Sequence, residues 1–472
     1  MSSIWFDITS TYAWNRPAVG VIRVETECVK YALTVSDAKV RFCRFIAGQG
    51  YVEISRADVV EMLSNLSGST YVAAATRVSG MPANVRTGGA TRIAARLRKA
   101  TGLLPRSIGD RLFLYAARRK PSVLTLVESG RQLRQAVGLW FRPTKLATAP
   151  NIRDAPAVLG NVPFEADDVY VTLGLDWDQK DLPFIARAKR AIGFKTVFCC
   201  YDLIPVKYPH LCVGDVASKF ARYFCDLAWC SDEIVSISEC SKHDLSNLLK
   251  SLGAPVPPNT VITLGSDLKR VSNDKLSKAV QTLASERYIL YVSTIERRKN
   301  HEVLYRAYIR LVEQGIENLP KLIFVGMQGW GVSDFLADLS LDPRIRNRVV
   351  LLSNISDNDL ASLYQNALFT VFPSFYEGWG LGVAESLANG KMCLASDAGS
   401  LPEVGGDLVE YIDPFDTLKW TEKLLWYSEN RYALAEAEKK IASNYEAPIW
   451  TNTGRQVFEI ARALLPTHTR NS

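Results

Sequence analysis

Residues 368–386 read LFTVFPSFYEGWGLGVAES, and the interpretation of the whole chain starts from them. An apolar run that is rich in β-branched and aromatic residues ends at Pro373, and glycines follow at positions 378, 380 and 382. An apolar stretch of helical character comes next. Because a buried strand leads through a glycine turn into a helix, the pattern predicts a parallel α/β sheet with this turn at its carboxyl edge.

The glycine turn predicts a binding site for an anion that has hydroxyl groups on both sides. Glycines let the backbone approach a ligand closely, and a helix that starts near Leu381 or Gly382 points free N–H groups at it. Glu377 before the turn and Glu385 after it can accept hydrogen bonds from sugar hydroxyls. An acid near a helix N-terminus is also ordinary capping, so the stretch alone leaves both interpretations open.

A second segment adds positive charge to the same edge of the sheet. The sequence STIERRKNHE (293–302) follows the strand RYILYVS (287–293) and places Arg297, Arg298 and Lys299 where the chain turns into a helix. Cations at that point can neutralise a departing diphosphate. Together, the two segments favour a functional site over capping.

Strands and helices alternate along most of the chain. Short β-branched runs recur from residue 287 onward with helical patterns between them, and residues 1–270 repeat this pattern with interruptions. We therefore predict two doubly wound α/β domains that face each other across a cleft. Their predicted bounds are 1–270 and 271–449, and residues 450–472 form a last helix that packs back on the first domain.

Size and composition indicate a globular protein without a metal site. The chain has 472 residues, of which 47% are hydrophobic and 22% are charged, and it has no run of 18 apolar residues. Nine cysteines without paired spacing and an N-terminus without a signal-peptide pattern favour reduced thiols in the cytoplasm. The four histidines form no cluster with the cysteines, so we predict no zinc site.

Positive charge is concentrated between residues 86 and 146. This segment holds fourteen Lys/Arg and two acidic residues, a local charge of +12 against +7 for the whole chain. Cations alternate there with large apolar residues at helical spacing, which suits a solvated helical insertion or a surface for anionic lipid or a charged acceptor. Because no nucleic-acid motif accompanies it, we expect no nucleic-acid partner. The sequence does not predict the oligomeric state.

The C-terminal half resembles the retaining glycosyltransferases of the GT-B fold, family GT4. The resemblance lies in VSTIERRKNHEVLYRA, VGMQGW (325–330), SNISDNDLASLYQNA (353–367) and the two glutamates eight residues apart in EGWGLGVAE, and it covers residues 287 to about 430. Three N-terminal pieces, RPAVGVIRVE, YDLIPVKYP and SISECSKHDL, are similar to a subgroup of mannosyl- and rhamnosyltransferases that build bacterial surface polysaccharides such as O-antigen and capsule.

The resemblance implies a role for each matching residue. Glu377 would contact the donor sugar near the reacting carbon, and Glu385 would hold the ribose. Lys299 would bind the diphosphate, with Arg298 as the adjacent cation, although Ser293-Thr294 replaces the usual Gly-Arg and leaves the identity of the arginine open. The other implied donor-binding positions are Gly20, Gly378, Trp379, Gly380, Leu381 and Gly382, with Gly326 and Ile355 on the nucleotide side.

The acceptor side departs from the family pattern. Many relatives have a histidine where the strand 195–200 ends, but this chain has Tyr201-Asp202. A tyrosine does not share the proton chemistry of histidine near neutral pH. Asp202 either orients the acceptor and accepts its proton or has a structural role in its loop. Tyr201 and Trp177 are our expected acceptor-side residues.

The resemblance implies a hexosyltransferase that retains anomeric configuration and needs neither metal nor cofactor. The first expected donor is GDP-mannose, with UDP- or dTDP-sugars as alternatives. The expected acceptor is a lipid-linked or polysaccharide glycan, and the expected location is the cytoplasm, either free or peripheral at the inner membrane face. Two alternatives stay open: a metal-dependent transferase that uses Asp176 and Asp178, and a non-catalytic sugar-nucleotide-binding or scaffold protein.

Overall fold

The computed structural model describes residues 2–14, 18, 20–36, 38–67, 74–77, 161–212, 214, 216–267 and 276–466. Within these ranges the chain forms two seven-stranded sheets, in the orders β3-β2-β1-β5-β6-β7-β8 and β14-β13-β12-β9-β10-β11-β4. The basic segment 86–146 lies outside the described residues. The strands are β1 Ile4–Asp7, β2 Val40–Ile46, β3 Gly50–Ile54, β4 Ala74–Arg77, β5 Val169–Thr172, β6 Lys195–Cys200, β7 Glu233–Ser236, β8 Asn259–Val261, β9 Tyr288–Val292, β10 Lys321–Val325, β11 Val349–Ser353, β12 Phe369–Phe372, β13 Cys393–Ser396 and β14 Glu410–Ile412.

Helices connect most of these strands, as parallel pairing requires. Among the described residues, no helix is both long and apolar enough to cross a membrane. The helices are α1 Thr9–Tyr12, α2 Val21–Thr34, α3 Arg56–Ser67, α4 Asp176–Gln179, α5 Leu182–Ile192, α6 Ile204–Lys207, α7 Val216–Cys230, α8 Glu239–Ser251, α9 Lys278–Leu283, α10 His301–Glu313, α11 Ser333–Leu341, α12 Asp357–Asn366, α13 Leu381–Ala388, α14 Leu401–Gly405, α15 Thr417–Glu429, α16 Arg431–Asn444 and α17 Trp450–Ala463.

Each sheet is buried on both faces. In β1, Ile4 and Phe6 pack into the core below α2 and α17, while Trp5 between them packs into the core on the opposite face below α5 and α7. This burial explains why the strands read as apolar runs and not as alternating patterns. The fold class that the sequence predicted, two doubly wound α/β sheets across a cleft, is confirmed.

Both sheets end in an antiparallel strand that the sequence did not predict. β3 pairs antiparallel with β2, and β4 pairs antiparallel with β11, so a strand from the N-terminal half of the chain completes the edge of the second sheet. Edge strands of this kind are common on otherwise parallel sheets. The domain bounds at residues 270 and 449 stay a prediction.

The last helix, α17, packs on the first sheet. Val457 and Phe458 belong to the same core as Ile4 and Phe6. The approach of α17 to α2 is so close that a Cβ atom on Gly454 would lie 2.4 Å from the Cβ atom of Tyr31. Glycine at this position therefore permits the helix contact.

Candidate active site in the interdomain cleft

A cleft of about 460 Å³ lies between the carboxyl ends of the two sheets. Ligands of open α/β sheets bind at such ends. The first half of the chain contributes Trp14, Gly20, Val21, Arg23, Val24, Tyr201, Asp202, Ile237 and Leu264 to its wall, and the second half contributes Arg298, Lys299, Gly326, Ile355, Asp357, Glu377–Gly382 and Glu385 among others.

The glycine turn has the geometry that the sequence predicted for it. It connects β12 to α13, and Gly380 takes a φ of +114° as the residue before the helix. A Cβ atom on Gly382 would lie 2.5 Å from the ring of Phe372, so the helix starts directly against the strand end. The first intrahelical bond runs from the Val383 N–H to the Gly380 carbonyl, which leaves the amides of Leu381 and Gly382 ahead of the helix ladder.

Glu377 is the centre of a buried ion-pair network. Its Oε1 accepts a hydrogen bond from Lys299 Nζ at 2.6 Å, and its Oε2 accepts one from Arg298 Nη1 at 2.7 Å. Burial alone would raise the pKa of Glu377, but Arg298 and Lys299 lower it to about 2. This carboxylate is therefore ionised at neutral pH and accepts hydrogen bonds without donating a proton.

The two cations differ in how well they are compensated. Arg298 also donates to Glu296 Oε1 at 2.7 Å, and Glu377 and Glu296 raise its pKa against the effect of burial. Burial and the neighbouring Arg298 instead lower the pKa of Lys299. Arg298 lies in the cleft wall, whereas the side chain of Arg297 reaches the His210 carbonyl oxygen at 3.4 Å. The geometry thus favours Arg298 as the arginine beside the lysine.

Glu385 lies one turn into α13 and is buried. Its Oε2 accepts a hydrogen bond from the Tyr364 hydroxyl at 3.0 Å, and its Oε1 lies 3.8 Å from Arg23 Nη1 across the cleft. Burial raises the pKa of Glu385, while Arg23 and Tyr364 lower it in part. The sequence analysis did not single out Arg23, although it stands three residues after Gly20 in RPAVGVIRVE, where helical spacing puts both on one side.

The glycine turn also touches the first domain. A Cβ atom on Gly378 would lie 2.4 Å from the Tyr201 carbonyl oxygen and 2.8 Å from Asp202 Cβ. The Gly378 carbonyl accepts a hydrogen bond from Ser238 Oγ at 2.7 Å. Only a residue without a side chain fits between the two domains here, so this glycine serves domain contact as well as the turn.

Tyr201 and Asp202 have different environments at the end of β6. The Tyr201 hydroxyl donates to the Leu173 carbonyl oxygen at 2.5 Å within the first domain, and burial raises the pKa of Tyr201 well above its ordinary value. Asp202 Oδ1 accepts the Ile204 N–H at 3.1 Å. Burial also raises the pKa of Asp202, and Arg298 offsets part of this increase.

Gly20, Gly326 and Ile355 also line the cleft. Gly20 takes a φ of +52° at the start of α2. A Cβ atom on Gly326 would lie 1.9 Å from the Ser293 carbonyl oxygen, so only glycine lets the loops after β9 and β10 come this close. Trp379 lies in the same wall and packs against core residues of the first domain.

Trp177 and the two aspartates beside it have other partners. The Trp177 ring packs on Phe220 and Tyr223 at 5.1 and 6.0 Å between centroids, and it does not line the cleft. Asp176 is buried, with its Oδ1 2.7 Å from Lys180 Nζ, whereas Asp178 is exposed. The pair therefore does not converge on one point. Within the described ranges, no three His, Cys, Asp or Glu side chains form a candidate metal site.

Part of this chain is similar in sequence to known proteins. The profile of the family "Glycosyl transferases group 1" matches residues 272–446. The serotype-specific mannosyltransferase WbdA of Escherichia coli is 26% identical over 52% of this chain and 32% of its own length. The O-antigen chain mannosyltransferase B of Escherichia coli is 39% identical over 28% of this chain and 35% of its own length.

Among solved structures, HepE of Anabaena in complex with UDP-glucose has a TM-score of 0.49 at 17% identity, over 62% of this chain and 78% of that chain. The chain spans about a third of the length of the first curated relatives that it matches. The match over residues 272–446 contains the glycine turn, Glu377, Glu385 and the segment with Arg298 and Lys299. Residues 272–446 therefore match a glycosyl transferases group 1 domain, and they hold six of the seven strands of the second sheet and most of the cleft's charged residues.

Proposed function

We propose that this protein is a retaining, metal-independent hexosyltransferase that moves a sugar from a nucleotide-sugar to a lipid-linked or polysaccharide acceptor. The observation that carries the proposal is the network of Glu377, Arg298 and Lys299 in the cleft beside the N-terminus of α13. Mannose is the first sugar to test, because the names of two relatives include a mannosyltransferase activity. GDP-mannose is accordingly the first donor, and UDP- and dTDP-sugars follow.

In this proposal the chain binds and orients the donor and stabilises charge. The amides of Leu381 and Gly382 and the side chains of Arg298 and Lys299 contact the diphosphate, which gains negative charge as the sugar leaves. Glu377, ionised at neutral pH, accepts hydrogen bonds from the sugar hydroxyls. The acceptor oxygen attacks on the face that the diphosphate leaves, and the leaving phosphate takes its proton.

Calorimetric titration with a panel of nucleoside diphosphates and their sugars, in buffer that contains a chelator, tests donor binding. We expect one nucleotide-sugar to bind and the Lys299→Ala variant to lose most of this affinity. Lys195→Ala, which changes a half-exposed lysine at the start of β6, is the matched control. Failure of every nucleotide to bind would reject the proposal.

Transfer of labelled sugar to a glycan acceptor tests catalysis separately. We expect equal rates with magnesium and with chelator. Loss of transfer on chelation would reject metal independence. Donor binding without any transfer would favour a non-catalytic sugar-nucleotide-binding protein, an alternative that rests on the tyrosine at position 201 in place of the histidine of many relatives.

We also propose that the basic segment 86–146 brings the enzyme to an anionic membrane surface. The support is its charge of +12, because the segment lies outside the described residues. Co-sedimentation with vesicles tests this. We expect retention on vesicles with anionic lipid at moderate salt and none on neutral vesicles. Equal behaviour of both kinds of vesicle would reject the membrane proposal.

A further inference from the structure

Arg23 is a cation that the first half of the chain holds in the cleft. It lies in the first turn of α2, three residues after Gly20, and its side chain is 11% exposed. Its guanidinium lies 5.4 Å from the ring centroid of Trp450, and its Nη2 donates to the Asp267 carbonyl oxygen at 3.4 Å. Of the described cleft-lining residues in the first half, Arg23 is the only cation.

The group opposite Arg23 is Glu385 of the second half. The distance of 3.8 Å between Arg23 Nη1 and Glu385 Oε1 is within reach of an ion pair but longer than a hydrogen bond. The Glu385 side chain is 10% exposed, so its charge has little contact with water. The other titratable groups that face it come from α12: the Tyr364 hydroxyl, which donates to Oε2, and Asp357, whose negative charge opposes ionisation.

Within the described part of the chain, the buried carboxylate of Glu385 thus has one positively charged neighbour, Arg23, which belongs to the other domain. Burying a carboxylate without a cation is costly, and such groups then take up a proton. A protonated Glu385 would accept hydrogen bonds less well from the two hydroxyls of a ribose. The positive charge of Arg23 therefore favours the ionised form of Glu385, which is the form that accepts hydrogen bonds from a diol.

We propose that Arg23 is a positioning residue for the donor, which keeps Glu385 ionised and thereby couples nucleotide-sugar binding to the approach of the two domains. The proposal rests on the proposed function, in which Glu385 holds the ribose of the donor. Arg23 itself acts through Glu385. Its anchors on Trp450 and Asp267 fix the guanidinium to the first domain, so its charge reaches Glu385 only when the domains are close.

The test is the pH dependence of nucleotide-sugar affinity, measured by calorimetry between pH 5 and 8 with the donor that binds most tightly to the wild type. A nucleotide-sugar suits this range because its two phosphates have no second acidic proton. In Arg23→Gln we expect weaker binding at pH 6, and we expect the loss of affinity at low pH to begin about one pH unit higher than in the wild type, as for removal of a nearby opposite charge.

Four further variants separate positioning from folding. Arg23→Lys keeps the charge and should restore the wild-type pH profile. Glu385→Gln cannot ionise, so adding Arg23→Gln to it should cost little further affinity. Arg222→Gln, on a surface arginine that is 82% exposed, should behave as the wild type. Thermal unfolding of each variant confirms that the protein measured is folded.

The possible outcomes are distinct. An upward shift in Arg23→Gln with rescue by Arg23→Lys supports the proposal. Weaker binding with an unchanged pH profile, or affinity within twofold of the wild type, overturns it while leaving the proposed function intact. Absence of nucleotide-sugar binding to the wild type rejects the proposed function itself.

Discussion

Two lysines at the carboxyl edges of the two sheets have opposite electrostatic environments. Lys180 follows β5 of the first sheet, and its Nζ lies 3.0 Å from Asp7 Oδ2 and 2.7 Å from Asp176 Oδ1. Lys299 follows β9 of the second sheet and pairs with Glu377, which also serves Arg298. Burial disfavours the charge of Lys180, but the carboxylates raise its pKa, whereas burial and Arg298 lower the pKa of Lys299.

Lys180 and Lys299 also differ in whether a ligand could reach them. The Lys180 side chain is 1% exposed and its two carboxylates belong to the same sealed domain core. Lys299 lines the cleft and shares a single carboxylate with another cation, so an anionic ligand would add to its stabilisation. Acids and lysines at strand ends therefore predict a binding site only where a cavity reaches them.

The comparison of Lys299 with Lys180 can be tested with variants, and we expect the largest effect, a loss of transfer, in Glu377→Gln. The amide keeps the shape but cannot accept hydrogen bonds as an anion, and we expect transfer to fall about 10³-fold, as for the loss of one charge-stabilising group in an active site. Steady-state transfer assays measure the rate. Glu446→Gln, at an exposed position, is the control.

Glu377→Gln should also leave the protein folded with a similar thermal midpoint, because water in the cleft can solvate the released cations. Unchanged transfer would remove Glu377 from the catalytic site. A large fall in the thermal midpoint would mean that the Glu377 network is structural, like that of Lys180.

The second effect is the loss of stability in Lys180→Met. Removing the cation leaves Asp7 and Asp176 buried without compensation, and breaking a buried pair from one side costs about 3–5 kcal/mol. Denaturant unfolding measures the free energy of unfolding. Lys250→Met, at an exposed position on α8, controls for the change of residue type.

The fraction of Lys180→Met that stays folded should bind the nucleotide-sugar as the wild type does. A variant with normal stability and lost donor affinity would contradict our assignment of the two lysines and would place Lys180 in the functional site.

The parallel strands of the second sheet, β9 to β14, could be predicted from the sequence as short apolar runs after residue 287. Runs such as KLIFVG are buried on both faces between helical segments, so local pattern and tertiary environment agree there. The edge strands β3, β4 and β8 could not be predicted. β3 and β4 pair antiparallel with their neighbours, and β8 has only three residues. Short strands depend on neighbours that sequence periodicity does not reveal.

The candidate site also has parts that the sequence predicts and parts that it does not. The positions of the glycine turn and Lys299 at the edge of the sheet could be predicted, because one local segment contains each signal, and both line the cleft. The partner of Glu385 could not, because Arg23 lies 362 positions away in the sequence and meets it only across the cleft. Trp177 packs on Phe220 and Tyr223 of α7 and does not line this cleft, and its place on the acceptor side stays a prediction.

The smallest expected effect concerns Glu25, a third acid near Lys180. Glu25 is buried on α2, and its Oε2 has no hydrogen-bond partner among the described residues. Burial raises its pKa from the ordinary 4.5 to about 8, although Lys180 lowers it in part. Between these two values the folded protein holds a proton that the unfolded chain has released. The contribution of Glu25 to stability therefore falls as the pH rises from about 5 to about 8 and is constant above that range.

Glu25→Gln should remove this pH dependence, because an amide stays neutral in both states. We expect the free energy of unfolding of the variant, relative to the wild type, to increase by up to about 1.4 kcal/mol per pH unit between pH 5.5 and 7.5. Urea unfolding at four pH values measures it, with Glu61→Gln, at an exposed position on α3, as control. Parallel wild-type and Glu25→Gln curves would mean that Glu25 is ionised beside Lys180. Asp7, Asp176 and Glu25 would then all carry a negative charge around Lys180. The environments of Lys180 and Lys299 would then differ in geometry alone.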